Sequence, residues 1–229
     1  MTVIIAGSRG LIGKQIKNYV TTILSEDIVE LDLELGDDLC NEEYVKEFFK
    51  TKKGKAGAII NLFAFNDHVS PGEKRGTIFD LSLDSFKSSL DVNLTALFSV
   101  CREYARNNQT FGGKIINFGA STGIVSARTD MYGGAHKHIG YSVSKAGVIH
   151  LTKILATHLA PKFTVNCISP GGVISQQSDE FKAEYSKHTP MNRMCEISDI
   201  EPAIAMLLNH DNKYMTGANI VIDGGWSII

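Results

Sequence analysis

The fold is decided near the N-terminus, where residues 3–13 read Val-Ile-Ile-Ala-Gly-Ser-Arg-Gly-Leu-Ile-Gly. The first four residues are an apolar run without alternation, which is typical of a strand buried on both faces of a sheet. After the glycines, a helical pattern of apolar residues extends to Leu24. A strand, a glycine loop and a helix in this order present backbone N–H groups to a phosphate. We therefore predict a phosphate site here, with a purely structural turn as the alternative.

The rest of the chain repeats this alternation of strand and helix. Further apolar strands are predicted at residues 28–32, 58–64, 114–118, 163–168 and 219–223, with helical patterns between them. Alternating strands and helices favour a parallel sheet that helices cover on both faces. We predict an α/β chain with a Rossmann-type, doubly wound parallel sheet of about seven strands.

The section after the second strand is unusually short. Only a few residues separate Asp32 from Asp38, and a helix capped by Asn41 follows at once. Because a full crossover between parallel strands needs a dozen or more residues, one helix is predicted to be shortened or missing after strand 2. No linker or repeat divides the chain, so residues 1–229 are predicted to form one domain.

Composition excludes several classes of protein. Lysine and arginine (23) nearly balance aspartate and glutamate (25), which gives no support to a nucleic-acid-binding protein. No apolar stretch is long enough to span a membrane, and no signal peptide is evident. The four cysteines are widely spaced, which predicts reduced thiols in a cytoplasmic protein. His136 and His138 could hold a metal, but no carboxylate cluster accompanies them, and no metal site is predicted.

Asp32 ends the second predicted strand, about 20 positions beyond the glycine loop. A carboxylate there accepts hydrogen bonds from an adenosine ribose and repels a 2′-phosphate, which favours NAD over NADP. A strand-end cap is the alternative interpretation of Asp32. Arg9 in the glycine loop argues the other way, so NADP stays open.

Tyr141 and Lys145 are four residues apart in a helical pattern and share one helix face. A tyrosine that acts as an acid near neutral pH needs its pKa of about 10 lowered by roughly 3 units, and a fixed cation nearby can supply this. A solvated surface pair is the alternative, because the same spacing occurs by chance.

Eight motifs in this order resemble the short-chain dehydrogenase/reductase family over nearly the whole chain. They are the Gly7–Gly13 loop, Asp38-Leu39, Asn61, Asn93, the small residues near Ser121, Tyr141-x-x-x-Lys145, Pro170-Gly171 and Asp223-Gly224-Gly225. Among the branches of the family, the chain looks closest to one associated with bacterial surface-sugar and flagellin-glycan biosynthesis.

The resemblance implies an NAD(P)-dependent enzyme acting on CH–OH groups, with four catalytic residues. Tyr141 would be the acid/base, and Lys145 would lower its pKa and bind the nicotinamide ribose. Ser121 would hydrogen-bond the substrate oxygen, and Asn93 would hold a water in a proton relay. Tyr141 and Lys145 would also bind the cofactor. The remaining cofactor-binding positions would be Gly7, Arg9, Gly10, Leu11, Ile12, Asp32, Asp38, Leu39, Asn61, Pro170, Gly171, Val173 and Ser175.

The sequence departs from the family pattern at the serine loop. Ala120 stands where the family serine is expected, and Ser121 is one residue later. Either Ser121 or Thr122 takes the role, or the hydroxyl is absent. A catalytically weak dinucleotide-binding regulatory protein is therefore one alternative function, and a nucleotide-sugar epimerase or dehydratase is another.

The resemblance also implies a homodimer or homotetramer and a small-molecule substrate, which is possibly sugar-derived. Loops at about 124–140 and 174–196 would shape the substrate pocket. The second loop is polar and is predicted to be a mobile lid.

Overall fold

Six parallel strands form one sheet in the computed structural model, which describes residues 1–66, 78–132 and 137–229. The strands are β1 Thr2–Ala6, β2 Asp27–Leu31, β3 Ala58–Asn61, β4 Gly113–Phe118, β5 Phe163–Pro170 and β6 Asn219–Ile222. Their order across the sheet is β2-β1-β3-β4-β5-β6. The strand order reverses between β1 and β3, and a crevice for a ligand opens at the carboxyl ends of strands at such a point.

The predicted count of about seven strands is wrong by one. Between β2 and β3 the chain forms a short turn at Leu33–Leu35, helix α2 at Glu42–Lys50 and a second turn at Lys52–Gly54. This section is too short for a further strand and its crossover. The predicted shortening after strand 2 is thus confirmed, and β2 pairs only with β1.

Helices lie between the strands as predicted. They are α1 Leu11–Asn18, α2, α3 Leu83–Leu90, α4 Leu97–Asn107, α5 Ile139–Leu159, α6 Asp179–Lys187 and α7 Glu201–Leu208. The predicted cap of α2 is confirmed, since the Asn41 side chain accepts hydrogen bonds from Glu43 and Tyr44 N–H. Ser82 caps α3 in the same way, accepting from Asp84 N–H. A π-helical segment, Asp91–Ala96, joins α3 to α4.

Alternate strand residues build two apolar clusters on opposite faces of the sheet. Ile4 and Ile59 belong to a cluster that α2, α4 and α5 cover. Ile5 and Ile60 belong to a second cluster, with residues of α1 and α7. The alternation follows from the two-residue period of a strand, and it explains why these strands are apolar throughout.

The helix α6 replaces part of the polar loop expected at 174–196. Ser178 caps it, and Tyr185 is its buried residue. Tyr185 stacks on Trp226 near the C-terminus, with ring centroids 4.2 Å apart. A contact so distant in sequence leaves no periodic signal, which is why the helix was missed.

Among the described residues, no helix has the length and apolar character to cross a membrane.

Candidate active site

The glycine loop between β1 and α1 is closely packed beneath the crevice. Gly7 has φ +85°, and a Cβ atom there would lie 2.4 Å from Phe63 N in the chain that follows β3. A Cβ atom on Gly13 would lie 2.0 Å from Gly7 O. Both glycines are therefore required by the backbone itself, because a side chain would force β1, β3 and α1 apart.

Gly10 has a different role from its two neighbours in the motif. It precedes α1 with φ −66°, and no side chain caps this helix N-terminus. A Cβ atom would meet only Gly7 O, at 3.5 Å. Leu11 is exposed and Ile12 half-buried. The first N–H groups of α1 therefore have no side-chain cap and follow a residue without a side chain, which fits the pyrophosphate of a dinucleotide.

Gly10→Ala is expected to separate folding from ligand binding. The backbone angles suit alanine and its Cβ has room, so the melting temperature should stay close to that of the wild type. The added methyl group would occupy the surface that a pyrophosphate approaches, and the Kd for NAD should rise at least about tenfold. Calorimetric titration measures this. Gly13→Ala is the contrasting variant, expected to unfold, and an unchanged Kd for Gly10→Ala would contradict the assignment.

Asp32 lies at the carboxyl end of β2, beside the glycine loop. Its Oδ2 accepts a hydrogen bond of 2.8 Å from Arg9 N–H, and its Oδ1 accepts one of 3.0 Å from Glu34 N–H. The carboxylate therefore both caps the turn that follows β2 and lies next to the predicted phosphate site. The structural and the ribose-binding interpretations of Asp32 are compatible.

Asp38 and Leu39 follow on the same side of the sheet. Asp38 is exposed, and its carboxylate accepts a hydrogen bond from Cys40 N–H. The Leu39 side chain is buried in the apolar cluster with α2. Only the carboxylate of Asp38 and the backbone of Leu39 are thus placed to meet an adenine, and their predicted role stays a prediction.

Tyr141 and Lys145 lie together on α5. Lys145 is buried, and its Nζ donates a 2.7 Å hydrogen bond to Phe118 O at the end of β4. The same Nζ lies 5.6 Å from the centroid of the Tyr141 ring. Within the described residues, the hydrogen bonds recorded for Tyr141 involve only its backbone. The surface-pair alternative is therefore wrong, since β4 fixes the lysine beside the phenol.

The pKa of Tyr141 is shifted in the direction opposite to that expected from the sequence. Burial raises the pKa of Tyr141 to about 12 and lowers that of Lys145 to about 8. Removal from water disfavours both the phenolate and the ammonium. The helical spacing predicted the proximity of the two groups, but it carried no information on how deeply they are buried.

The turn Ser121–Gly123 packs directly on α5 at the lysine. A Cβ atom on Gly123 would lie 2.7 Å from both Lys145 C and Ala146 N, so no larger residue fits there. Ser121 is buried, and Thr122 Oγ1 is enclosed without a hydrogen-bond partner among the described residues. Two hydroxyls thus lie close to the helix that carries Tyr141, while Ala120 stands before the turn.

Asn93 ties three parts of the site together from the π-helical segment. Its Oδ1 accepts a hydrogen bond from Phe65 N–H, and its Nδ2 donates to Phe65 O and to Ser144 Oγ, both at 2.9 Å. The side chain thus joins the loop after β3 to α5, three residues beyond Tyr141. Its predicted hold on a water stays a prediction.

Asn61 belongs to a buried polar network rather than to an open cleft wall. Its Nδ2 donates to Asn117 Oδ1 at 2.9 Å, and Asn117 Nδ2 donates to Thr152 Oγ1 on α5 at 3.0 Å. Asn61 Oδ1 is buried without a partner among the described residues. The sequence analysis missed Asn117, although a polar residue inside the apolar strand Lys114–Phe118 was a usable signal.

The chain after β5 is held in place by the aromatic pair of α6 and the C-terminus. Pro170 ends the strand, and Gly171 N–H donates to Ile222 O on β6. Tyr185 OH contacts Gly172 N at 2.6 Å. Val173 bridges to Cys195, and Ser175 N–H donates to Gln177 Oε1. These contacts fix the segment predicted to meet a nicotinamide at the same sheet edge.

Two residues that precede α5 were missed. Lys137 Nζ lies 4.8 Å from the Tyr141 ring centroid, so a second cation flanks the phenol. His138 is buried and caps α5, its Nδ1 accepting from Tyr141 N–H. The spacing of Lys137, Tyr141 and Lys145, four residues apart each time, was a signal for the first. His136 lies outside the described residues, within which no group of three metal-ligating side chains occurs.

The comparisons with known proteins agree with this arrangement. The family model described as Enoyl-(Acyl carrier protein) reductase matches residues 8–227. Post-translational flagellin modification protein A of Campylobacter coli is 27% identical over 252 residues, 99% of this chain and 98% of that protein. Cyclohexanol dehydrogenase of an Acinetobacter species is 31% identical over 167 residues, 72% of this chain and 63% of that protein.

A solved structure is similar in both fold and sequence. The short-chain dehydrogenase of Leptospira borgpetersenii with bound NAD+ is 30% identical, with a TM-score of 0.88, and the match covers 99% of this chain and 92% of that one. The family match spans nearly the whole chain, and several of the relatives and solved neighbours are dehydrogenases or reductases. The chain is therefore an oxidoreductase that belongs to the short-chain dehydrogenase/reductase family.

Proposed function

We propose that the chain is an NAD-dependent oxidoreductase that interconverts a secondary alcohol and a ketone. The observation that carries the proposal is the convergence of Tyr141 and Lys145 beside the turn at Ser121. They lie on α5, which β4 and the turn after it hold at the carboxyl edge of the sheet. This edge also carries the glycine loop and Asp32, so a dinucleotide would extend along it toward the phenol.

In this proposal the protein supplies orientation and one proton. A bound nicotinamide would accept or supply the hydride. Tyr141 would take the proton from the substrate hydroxyl, or return it to the ketone oxygen, through its phenolic oxygen. Lys145 would stabilise the charge that develops there, and Asn93 would keep α5 in register with the loop after β3.

The preference for NAD rests on Asp32. Its carboxylate adjoins Arg9 N–H, and a 2′-phosphate on an adenosine ribose beside it would face a like charge. Binding of NADP is expected to be weaker for this reason.

The proposal extends to the organisation of the protein. Residues 1–229 would form one dinucleotide-binding domain, with the chain near 124–140 and 174–196 shaping the pocket for a small molecule. Buried free thiols such as Cys101 and Cys167 suit the reducing cytoplasm. We expect a homodimer or homotetramer, which size-exclusion chromatography with light scattering would establish.

The test is binding followed by turnover. NAD and NADP are titrated calorimetrically, and then a panel of secondary alcohols and ketones, with cyclohexanol and polyols among them, is followed by the absorbance of reduced nicotinamide. The proposal expects tighter binding of NAD and turnover of at least one alcohol. Failure to bind either dinucleotide would overturn it. Dinucleotide that copurifies with the protein and never exchanges hydride with any alcohol would favour the epimerase instead.

Ser121→Ala is expected to lower kcat about 10²–10³-fold on the alcohol found in that panel, as the loss of one preorganised donor does. Thr122→Val is the matched variant, and it should leave kcat within about twofold when Ser121 alone donates to the substrate oxygen. Steady-state kinetics with NAD in excess measures both. The opposite result would assign the hydrogen bond to the substrate oxygen to Thr122. An unchanged kcat in both variants would show that neither hydroxyl makes this hydrogen bond.

A further inference from the structure

Three polar side chains contact one carboxylate oxygen of Glu30 on β2. Its Oε2 lies 2.9 Å from Ser8 Oγ, 3.2 Å from Arg9 Nε and 3.2 Å from Lys17 Nζ. The Arg9 contact is an ion pair rather than a hydrogen bond. The side chains of Glu30 and Lys17 are each 26% exposed and that of Arg9 is 37% exposed, so the cluster is partly shielded from water.

Glu30 is ionised in this cluster. Partial burial opposes its ionisation, but hydrogen bonds from Ser8 and Lys17, together with the charges of Lys17 and Arg9, lower the pKa of Glu30 below its ordinary value. One negative charge thus faces two cations, one from the glycine loop and one from α1.

Glu30 lies on β2, and Asp32 follows the strand with an extended backbone. Because they are two residues apart in extended chain, their side chains point to the same side. Between them they fix Arg9 twice, since Asp32 accepts from its backbone N–H and Glu30 pairs with its guanidinium. A guanidinium at this position is the group that a 2′-phosphate would require, because arginine forms strong charge-assisted hydrogen bonds with phosphate. Here it is already engaged by a carboxylate.

We propose that Glu30 is a second determinant of cofactor choice, which disfavours a 2′-phosphate by holding Arg9 in an ion pair. The inference rests on the proposed use of NAD. It resolves the conflict between Arg9 and Asp32 in the sequence, because the Arg9 guanidinium is paired with Glu30 and is not available to the ligand. Asp32 repels the phosphate, and Glu30 neutralises the cation that would offset this repulsion.

The test compares Glu30→Gln with the wild type in calorimetric titrations. The glutamine keeps an oxygen for Ser8 Oγ and removes the charge. The probes are NAD, NADP, 5′-AMP and 2′-AMP. Glu30→Gln should tighten NADP and 2′-AMP by up to about fivefold, the effect of one partly exposed charge pair. NAD and 5′-AMP should change by less than about twofold, and thermal melting checks that the variant is folded.

Two further variants make the outcome specific. Glu34→Gln removes an exposed carboxylate from the turn after β2 and should leave all four probes unchanged. The double variant Glu30→Gln with Arg9→Gln should bind NADP no more tightly than the wild type. The inference would be overturned by an equal rise in NADP affinity for Glu34→Gln, or by a rise that persists in the double variant. An unchanged NADP affinity in Glu30→Gln would overturn it as well. Wild-type protein that binds neither NAD nor 5′-AMP would instead overturn the proposed function.

Discussion

Tyr141→Phe is expected to reduce kcat for alcohol oxidation by roughly 10²–10⁴-fold, the range for loss of a positioned acid/base. The phenol is half-buried, and its recorded hydrogen bonds within the described residues involve only the backbone, so phenylalanine should fit without a change in fold. The Kd for NAD should stay within about twofold. Steady-state kinetics and calorimetry on the same preparation measure both quantities.

The pH dependence of the reaction rate tests the role of Tyr141 independently. Because burial raises the pKa of Tyr141 to about 12, the phenolate is the minor form at neutral pH. Oxidation needs the phenolate as the base, so its rate should rise with pH toward that value, and ketone reduction should slow. Tyr214→Phe, at a fully exposed tyrosine, is the matched control and should match the wild type. Wild-type turnover by Tyr141→Phe would remove the tyrosine from the mechanism.

Lys145→Met is expected to stabilise the protein while it abolishes turnover. Burial lowers the pKa of Lys145 from 10.5 to about 8, which corresponds to a cost of about 3 kcal/mol for the charged form at neutral pH. Methionine removes this cost but also the hydrogen bond to Phe118 O. The net gain should be about 1–2 kcal/mol. The melting temperature at pH 7 should therefore rise by about 2–8 °C.

The sign of the pH effect follows from the direction of the shift. Between pH about 8 and 10.5 the unfolded state binds more protons at Lys145 than the native state does, so wild-type stability should increase with pH across this window. The advantage of Lys145→Met should shrink over the same range, as thermal melting at several pH values would show. Lys153→Met, at an exposed lysine of the same helix, is the control. A lower melting temperature for Lys145→Met at pH 7 would contradict the burial cost.

Much of the site could be predicted because its signals are local. The glycine spacing, the cap at Asn41, and the four-residue interval between Tyr141 and Lys145 each depend on the geometry of one turn or one helix. These features follow from residues near one another in the chain. The structure confirms their placement.

The rest depended on contacts between distant segments. The predicted place of Asn61 at the cofactor cleft stays a prediction. Its hydrogen bond to Asn117 was not predicted, because α5 brings Thr152 within reach of Asn117 from a distant part of the chain. The helix α6 was missed because the surface that buries Tyr185 is Trp226, more than one element away. A sequence pattern within one segment carries no information about a contact partner in a distant segment.

The sequence by itself determined the alternation of strands and helices, the glycine loop at β1 and the proximity of Tyr141 to Lys145. The tertiary structure alone decided the direction in which the pKa values of Tyr141 and Lys145 shift and the ion pair between Arg9 and Glu30. The physical reason is that spacing along a helix sets distance, whereas desolvation and ion pairing depend on what other elements place around the group. The lysine that was expected to lower the pKa of the phenol is itself buried beside it.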